Sequence, residues 1–149
     1  MNLYQKLDLW VVVIANILNL ILTLIFLNRV FGRAEWEPWL GYGTLVMAIP
    51  LAAIAIANLM GGRSWAFWLL PLVMVAYLAL EFVLDYLLKL DFRHTALLGP
   101  YLLLYYLGLF AMIGYAFLVG RMYGFITLAT YFINLAATFF SYARVGHGG

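Results

Sequence analysis

Residues 94–120, HTALLGPYLLLYYLGLFAMIGYAFLVG, contain no Asp, Glu, Lys or Arg. These 27 residues exceed the roughly 20 apolar residues, at about 1.5 Å each, that a helix needs to cross a hydrocarbon core. Four further charge-free stretches surround it, at 9–28, 38–62, 64–80 and 122–143. Their apolar residues form continuous runs and do not alternate with a period of two, which favours helices over a β-barrel.

The five stretches predict an all-α integral membrane protein. Only 9% of the 149 residues are charged and 68% are hydrophobic, whereas soluble domains carry about 25% charged and about 45–50% apolar residues. This composition excludes a soluble globular enzyme, because the chain cannot hide so much apolar surface from water. We expect one domain over 1–149, with a short polar tail at 144–149. Its compact bundle of five transmembrane helices is predicted at about 8–31, 40–60, 65–90, 97–120 and 123–143.

Charge and cysteine content exclude several partners and cofactors. A formal charge of +2, from scattered basic residues, excludes nucleic acid, which needs clustered Lys and Arg. Because the chain has no cysteine, it has no thiolate nucleophile and no Cys-ligated metal. No cofactor or metal site is predicted. The expected partners are membrane lipids, a small hydrophobic or cationic solute, and further copies of the chain in a homo-oligomer, since five spans enclose little volume.

Five spans place the two termini on opposite sides of the membrane. The longer connections, at 28–39 and 89–100, both lie on the side of the C-terminus, so we expect any site to open there. That side also has more basic residues, which predicts a cytoplasmic C-terminus. Counted by side, the basic residues are Lys6, Arg63 and Arg121 with the N-terminus, and Arg29, Arg33, Lys89, Arg93 and Arg144 with the C-terminus.

Four polar side chains recur every four residues along the third predicted helix. They are Tyr77, Glu81, Asp85 and Lys89, and this spacing places them on one face. In one interpretation Asp85 and Lys89 form an ion pair at the interface, and Glu81 is a protonated or hydrogen-bonded carboxyl among helices. In the other, the two carboxylates bind a cation or carry protons. Both interpretations place Glu81 in an interior pocket, bordered by Tyr77 and Asp85, that opens toward the C-terminal side.

Polar side chains also form stripes on the fifth and first predicted helices. The stripes consist of Thr127, Thr130, Asn134, Thr138 and Ser141 on the fifth helix and Asn16, Asn19 and Thr23 on the first. Amides inside a membrane need hydrogen-bond partners, so we expect these faces to meet, with Asn16 and Asn134 as partners. The stripes are typical of a helix–helix seam or of the wall of a polar cavity, and both interpretations stay open.

Aromatic and proline residues add two expectations. Tyr101, Tyr105 and Tyr106 begin the fourth helix and are interpreted as interfacial belt residues, although aromatic faces also bind cationic headgroups. Pro50 and Pro71 lie inside helices, where each removes one backbone hydrogen bond. They predict kinks for which neighbouring helices compensate.

Three functional hypotheses follow. The first is a small multi-span protein that binds or translocates a lipid, or a hydrophobic or cationic solute, in a polar cleft between the first, third and fifth helices. The alternatives are an intramembrane enzyme acting on a lipid headgroup and a structural or accessory subunit. No catalytic motif is present, so an enzyme is not favoured, and its candidate residues are Glu81, Asp85 and His94. The predicted ligand-binding residues are Tyr77, Glu81, Asp85, Asn16, Asn19, Thr130 and Asn134.

Overall fold

The structure, a computed structural model, describes residues 1–145 of the chain. Over this range it contains helices and connections but no strand. Five helical segments are long and apolar enough to cross a membrane, which confirms the predicted number and class. The predicted polar tail begins inside the last of them, and residues 146–149 lie outside the described range. We number the segments span 1, Leu3–Val30; span 2, Glu37–Met60; span 3, Trp65–Leu87; span 4, Leu98–Val119; and span 5, Arg121–Val145.

The two ends of the bundle differ in their connections. At one end, which we call the N-face, residues 61–64 join spans 2 and 3, and Gly120 joins spans 4 and 5. At the other end, the C-face, the connections are longer and contain the 3₁₀ turns Ala34–Trp36 and Phe92–His94. The longer connections therefore lie at the end of the bundle where the sequence predicts them.

Span 1 begins at Leu3, earlier than predicted, because a capping box precedes the charge-free stretch. The side-chain oxygen of Asn2 accepts a hydrogen bond from the backbone N–H of Gln5. In return, the side-chain oxygen of Gln5 accepts one from the N–H of Asn2, and both distances are 2.9 Å. Such reciprocal bonds satisfy two N–H groups that a helix start leaves unpaired. Lys6 and Asp8 therefore lie within span 1 and not ahead of it.

Span 2 is interrupted close to its proline. It consists of two helices, Glu37–Val46 and Ala48–Met60, separated at Met47. Pro50 has no N–H to donate to the carbonyl of the residue four positions before it. The helical bonding pattern accordingly breaks within one turn before Pro50, as the sequence predicts.

The last turns of span 3 are wider than those of an α-helix. Phe82–Leu87 forms a π-helical segment, in which backbone N–H groups bond to the carbonyl five residues back. The N–H of Leu88 continues this pattern and donates to the carbonyl of Val83 at 2.9 Å. The consecutive residues Asp85 and Tyr86 of this segment both line one cavity.

Span 1 lies at the centre of the packing. It contacts spans 2, 4 and 5, while span 3 packs between spans 2 and 4. Large apolar side chains such as Trp39, Ile49 and Met60 point outward, as expected of a surface that faces lipid. The core contains the almost fully buried side chains of Val11, Leu18, Leu51, Met74, Leu78 and Met112.

Candidate functional site

A cavity of about 110 Å³ lies in the C-face half of the bundle, and all five spans contribute to its wall. A water molecule occupies about 30 Å³ in the liquid, so the space suits a small polar group, not a whole drug-sized ligand. The wall consists of the charged residues Arg29, Glu37, Glu81, Asp85 and Arg93, the tyrosines Tyr77, Tyr86, Tyr101, Tyr105 and Tyr106, and Leu22, Ile25, Phe26, Gly41, Leu102 and Thr138.

Glu81 faces this cavity from span 3. Its carboxylate accepts a hydrogen bond from the hydroxyl of Tyr101 at 3.3 Å, and the hydroxyl of Tyr77 lies 3.3 Å from that of Tyr101. Among the described residues, no Lys or Arg forms an ion pair with Glu81. We call Glu81, Tyr77, Tyr101 and the neighbouring Tyr105 the C-face cage. The predicted interior position of Glu81, bordered by Tyr77 and Asp85, is confirmed.

The other two carboxylates on the wall are each paired with an arginine. Glu37 accepts hydrogen bonds from Arg29, one of them from Nε at 3.1 Å. Asp85 accepts two from Arg93, both at 3.1 Å. The predicted ion pair between Asp85 and Lys89 is therefore wrong, because the helix leaves α geometry before Lys89.

The connection after span 3 supplies the partner of Asp85. Burial alone would lower the pKa of the Arg93 guanidinium, but its hydrogen bonds with Asp85 raise that pKa above its ordinary value. Arg93 therefore stays charged throughout the physiological pH range. Its guanidinium also lies 4.6 Å from the centre of the Phe92 ring, a contact that favours a cation.

Tyrosines form the aromatic part of the C-face cage. The ring centre of Tyr77 lies 5.2 Å from that of Tyr105 and 5.7 Å from that of Tyr101. Tyr101 and Tyr105 are only 8% and 6% exposed, so their interpretation as interfacial belt residues is wrong. The hydropathy pattern could not reveal this, because it does not show which face of span 4 meets span 3.

Spans 1 and 5 meet along a polar seam. The side-chain amide of Asn16 donates to the hydroxyl of Thr127 at 3.0 Å, and its carbonyl accepts from the hydroxyl of Thr130 at 2.8 Å. One turn along, Asn19 donates to the hydroxyl of Thr130 at 2.9 Å. The predicted pairing of Asn16 with Asn134 is wrong, because Asn134 donates to the hydroxyl of Tyr105 at 3.3 Å. The parts of the stripes that contain Asn16, Asn19, Thr127 and Thr130 therefore form a helix–helix seam.

The structure brings together only part of the predicted ligand-binding set. Tyr77, Glu81 and Asp85 line the C-face cavity, whereas Asn16, Asn19, Thr130 and Asn134 do not. Asn134 is connected to the site only by its hydrogen bond to the hydroxyl of Tyr105, which lines the cavity. Thr138, one turn after Asn134, is the member of the fifth-helix stripe that lines the wall.

His94, a candidate only for an enzyme, lies away from the cavity. It is exposed in the 3₁₀ turn Phe92–His94 and does not line the wall that holds Glu81 and Asp85. Within residues 1–145, no three His, Cys, Asp or Glu side chains are grouped so that they could hold a metal ion.

A second polar cluster, which the sequence reasoning missed, lies at the N-face. Arg63 donates to both carboxylate oxygens of Asp8, at 2.7 and 3.1 Å, and the hydroxyl of Tyr115 donates to Asp8 at 2.5 Å. The Arg63 guanidinium lies 3.7 Å from the ring centre of Phe67 and 5.1 Å from that of Tyr4. We call Asp8, Tyr115, Phe67 and Tyr4 the N-face cage, and Arg63 is the cation inside it.

The N-face cage was hidden because its members come from distant parts of the chain. Tyr115 lies 107 residues from Asp8, and Arg63 lies 55 residues from it. The one local signal is Asp8 itself, an acid directly before a long apolar run.

Hydrogen bonding to Asp8 raises the pKa of the Arg63 guanidinium, although partial burial opposes this. Arg63 therefore remains a cation.

No protein-family model, curated protein or solved structure matches this chain. The two cages are the features of the described residues that bear most directly on function.

Proposed function

We propose that the protein binds an organic cation, a guanidinium or ammonium group on an apolar body, in the C-face cavity. The carboxylate of Glu81 carries this proposal, because among the described residues it forms no ion pair with Lys or Arg, whereas Glu37 and Asp85 do. A buried carboxylate needs compensation by a positive charge if it is to stay ionised. A cationic ligand supplies that charge.

The N-face cage supports the proposal by analogy within the same molecule. There a carboxylate, a phenol and two aromatic rings surround the guanidinium of Arg63. The C-face cage offers the same groups, with Glu81 as the carboxylate and tyrosines as both phenols and rings. Aromatic faces attract guanidinium and ammonium groups, and more strongly where water is excluded.

The remaining wall of the cavity favours a ligand with an apolar part. Leu22, Ile25, Phe26 and Leu102 line the same cavity as the charged residues. The cavity of about 110 Å³ holds the cationic group, and a longer body contacts these side chains. Each buried CH₂ adds about 0.8 kcal/mol to binding, so affinity should rise with the length of the alkyl chain.

Binding of methylguanidinium and hexylguanidinium to the protein in nanodiscs tests the proposal by isothermal titration calorimetry. We expect both to bind, hexylguanidinium more tightly, and Glu81→Gln to weaken binding about tenfold or more, because the amide carries no charge. Glu35→Gln is the matched control, since Glu35 is exposed and does not line the cavity. Equal affinity of Glu81→Gln and the wild type would overturn the proposal.

The cation can belong to a free solute or to a lipid headgroup, and the nanodisc composition distinguishes them. Phosphatidylethanolamine carries an ammonium group and phosphatidylglycerol carries none. If lipid headgroups occupy the cavity, methylguanidinium should bind more weakly in phosphatidylethanolamine discs than in phosphatidylglycerol discs. Equal affinity in both would assign the cavity to a free solute.

The two alternative functions have different consequences. We do not propose catalysis on a lipid headgroup, because His94 lies outside the wall that holds Glu81 and Asp85. A structural or accessory subunit would bind none of the cations and would lose assembly or expression on substitution of Glu81. Association into a homo-oligomer stays a prediction from the sequence, and native mass spectrometry from nanodiscs checks it.

We propose that the C-face, and with it the cavity, is cytoplasmic. The argument is the excess of Lys and Arg on that side, five against three, since basic residues favour the cytoplasmic side. Because the chain has no native cysteine, single cysteines at Asn2 and His94 can be labelled selectively. An impermeant maleimide should label the cysteine at Asn2 in intact cells, and labelling at His94 instead would reverse the orientation.

A further inference from the structure

We propose that the protein carries the organic cation across the membrane, with Asp8 as a second binding site that the chain's own Arg63 occupies in this structure. This inference rests on the proposed binding at Glu81 and extends it to translocation. The two carboxylates lie in opposite halves of one bundle, with Asp8 near the start of span 1 and Glu81 in the C-face half of span 3.

The two cages differ in their occupant and share their chemistry. Asp8 is 8% exposed and holds a guanidinium through two hydrogen bonds, with Tyr115 as a third donor. Glu81 accepts from Tyr101 in the same way but lacks the guanidinium. A cation that binds one cage therefore finds equivalent groups in the other once Arg63 has left.

Asp8 also borders a groove at the N-face. The groove has a volume of about 400 Å³ and lies between the starts of spans 1 and 5. Its wall includes Gln5, Leu9 and Tyr123 beside Asp8. A cation released from Asp8 therefore has a route to the N-face. The same groove gives a cation on that side access to the carboxylate.

The region between the two cages is closed. Val11, Leu18, Met74 and Met112 are at most 2% exposed and fill the bundle at this depth. The structure thus has a cavity in the C-face half and a sealed core beyond it. Passage requires rearrangement of the packed spans, and we infer that the ion pair of Asp8 and Arg63 controls it.

Replacement of Arg63 by another cation at Asp8 explains how binding at Asp8 is linked to the rearrangement of the spans. Separating a largely buried ion pair without replacement leaves two uncompensated charges and is strongly unfavourable. An arriving guanidinium compensates Asp8 and removes this obstacle. Arg63 belongs to the 61–64 connection, outside the spans, and 18% of its side chain is already exposed, so a short displacement brings it into water.

Exchange across proteoliposomes tests translocation. Vesicles loaded with unlabelled methylguanidinium receive radiolabelled methylguanidinium outside, and we expect the wild type to accumulate label by exchange. Asp8→Asn should slow exchange about tenfold or more, while calorimetric binding at the C-face stays within about twofold of the wild type. Arg121→Ala, which removes an exposed arginine at the same face, is the control and should exchange normally.

Chemical rescue gives a readout that does not depend on the folding of Asp8→Asn. In Arg63→Ala the N-face cage is empty, so methylguanidinium should fill it. We expect methylguanidinium to raise the unfolding temperature of Arg63→Ala more than that of the wild type or Arg121→Ala. The extra increase should vanish in Asp8→Asn/Arg63→Ala, which lacks both charges.

The possible results separate the two proposals. Binding of methylguanidinium without exchange in the wild type would overturn translocation and leave the proposed function intact. Absence of binding in the wild type would overturn the proposed function itself. Undiminished exchange in Asp8→Asn, or absence of rescue in Arg63→Ala, would overturn the assignment of Asp8 as the second site.

Discussion

The side-chain amide of Asn58 donates a 2.9 Å hydrogen bond to the backbone carbonyl of Phe67, the carbonyl that Pro71 leaves without a helical donor. In an α-helix the N–H of each residue bonds to the carbonyl four positions earlier, and proline has no N–H. An unpaired carbonyl in hydrocarbon costs several kcal/mol. Asn58 of span 2 supplies the missing donor, so span 3 continues through Pro71 as one α-helix from Trp65 to Glu81.

We predict that Asn58→Leu lowers the free energy of unfolding by about 2 kcal/mol, because it leaves the Phe67 carbonyl unpaired. Pro71→Ala restores the backbone donor, so Asn58→Leu should cost about 1 kcal/mol less in that background. The wild type, the two single variants and the double variant form a double-mutant cycle. Steric trapping in bicelles measures the free energy of unfolding of each of these four proteins. The bonds of Asn58 with Arg63 and Tyr115 are present in both backgrounds and cancel. Additive effects would show that the amide does not replace the lost donor.

The seam between spans 1 and 5 allows a second cycle with an internal control. Asn16→Leu and Thr130→Val remove the two ends of one 2.8 Å hydrogen bond, so their effects on unfolding should be coupled by about 1 kcal/mol. Asn16→Leu and Asn134→Leu should instead be additive within about 0.5 kcal/mol, because Asn134 bonds to Tyr105. Coupling of Asn16 with Asn134 would support the pairing that the sequence predicts and contradict the structure.

The number of spans follows from the sequence because a charge in hydrocarbon is so costly that charge-free windows mark the membrane segments. Local exceptions escape this rule. The capping box of Asn2 and Gln5 extends span 1 past two charged residues, and a hydropathy window does not register such bonds. The π-helical segment Phe82–Leu87 is likewise invisible to a four-residue spacing. This π-helical segment explains why Asp85 forms its ion pair with Arg93 and not with Lys89.

The sequence predicts the candidate site only for those residues that lie together on one helix. The spacing of Tyr77, Glu81 and Asp85 suffices to place them on one face, and the structure confirms their common cavity. Their partners come from other spans, as with Tyr101, which lies 20 residues from Glu81. Which of several polar residues meets Glu81 depends on how the spans rotate against each other. A single sequence contains no measure of that rotation.

The end of span 3 offers a prediction on backbone conformation. Lys89 has a φ of 51°, a left-handed conformation that costs a side-chain-bearing residue roughly 1–2 kcal/mol and glycine almost nothing. Lys89→Gly should therefore raise the free energy of unfolding by about 0.5 kcal/mol, after the larger entropy of glycine in the unfolded chain is subtracted. Leu88→Gly is the control. Leu88 has an ordinary φ of −87°, so this variant should be less stable than the wild type. Destabilisation of both variants would contradict the left-handed assignment.

The last prediction concerns the close approach of Gly41 and Tyr86 on the cavity wall. A Cβ atom at Gly41 would lie 2.1 Å from the hydroxyl oxygen of Tyr86 but 3.5 Å from its Cζ atom. The ring of Tyr86 is held by Tyr42, with ring centres 5.0 Å apart. Gly41→Ala should therefore displace Tyr86, lower the free energy of unfolding by about 1–2 kcal/mol, and weaken methylguanidinium binding.

Tyr86→Phe removes the clashing hydroxyl and leaves the ring at an ordinary contact distance. Gly41→Ala/Tyr86→Phe should accordingly regain both the stability and the affinity that Gly41→Ala loses. Gly43→Ala provides the matched control, because its Cβ would meet nothing closer than a methyl group of Ile21 at 3.6 Å. Equal losses in Gly41→Ala and Gly43→Ala, measured by steric trapping and calorimetry, would mean that a general helix effect and not the contact with Tyr86 shapes this part of the cavity.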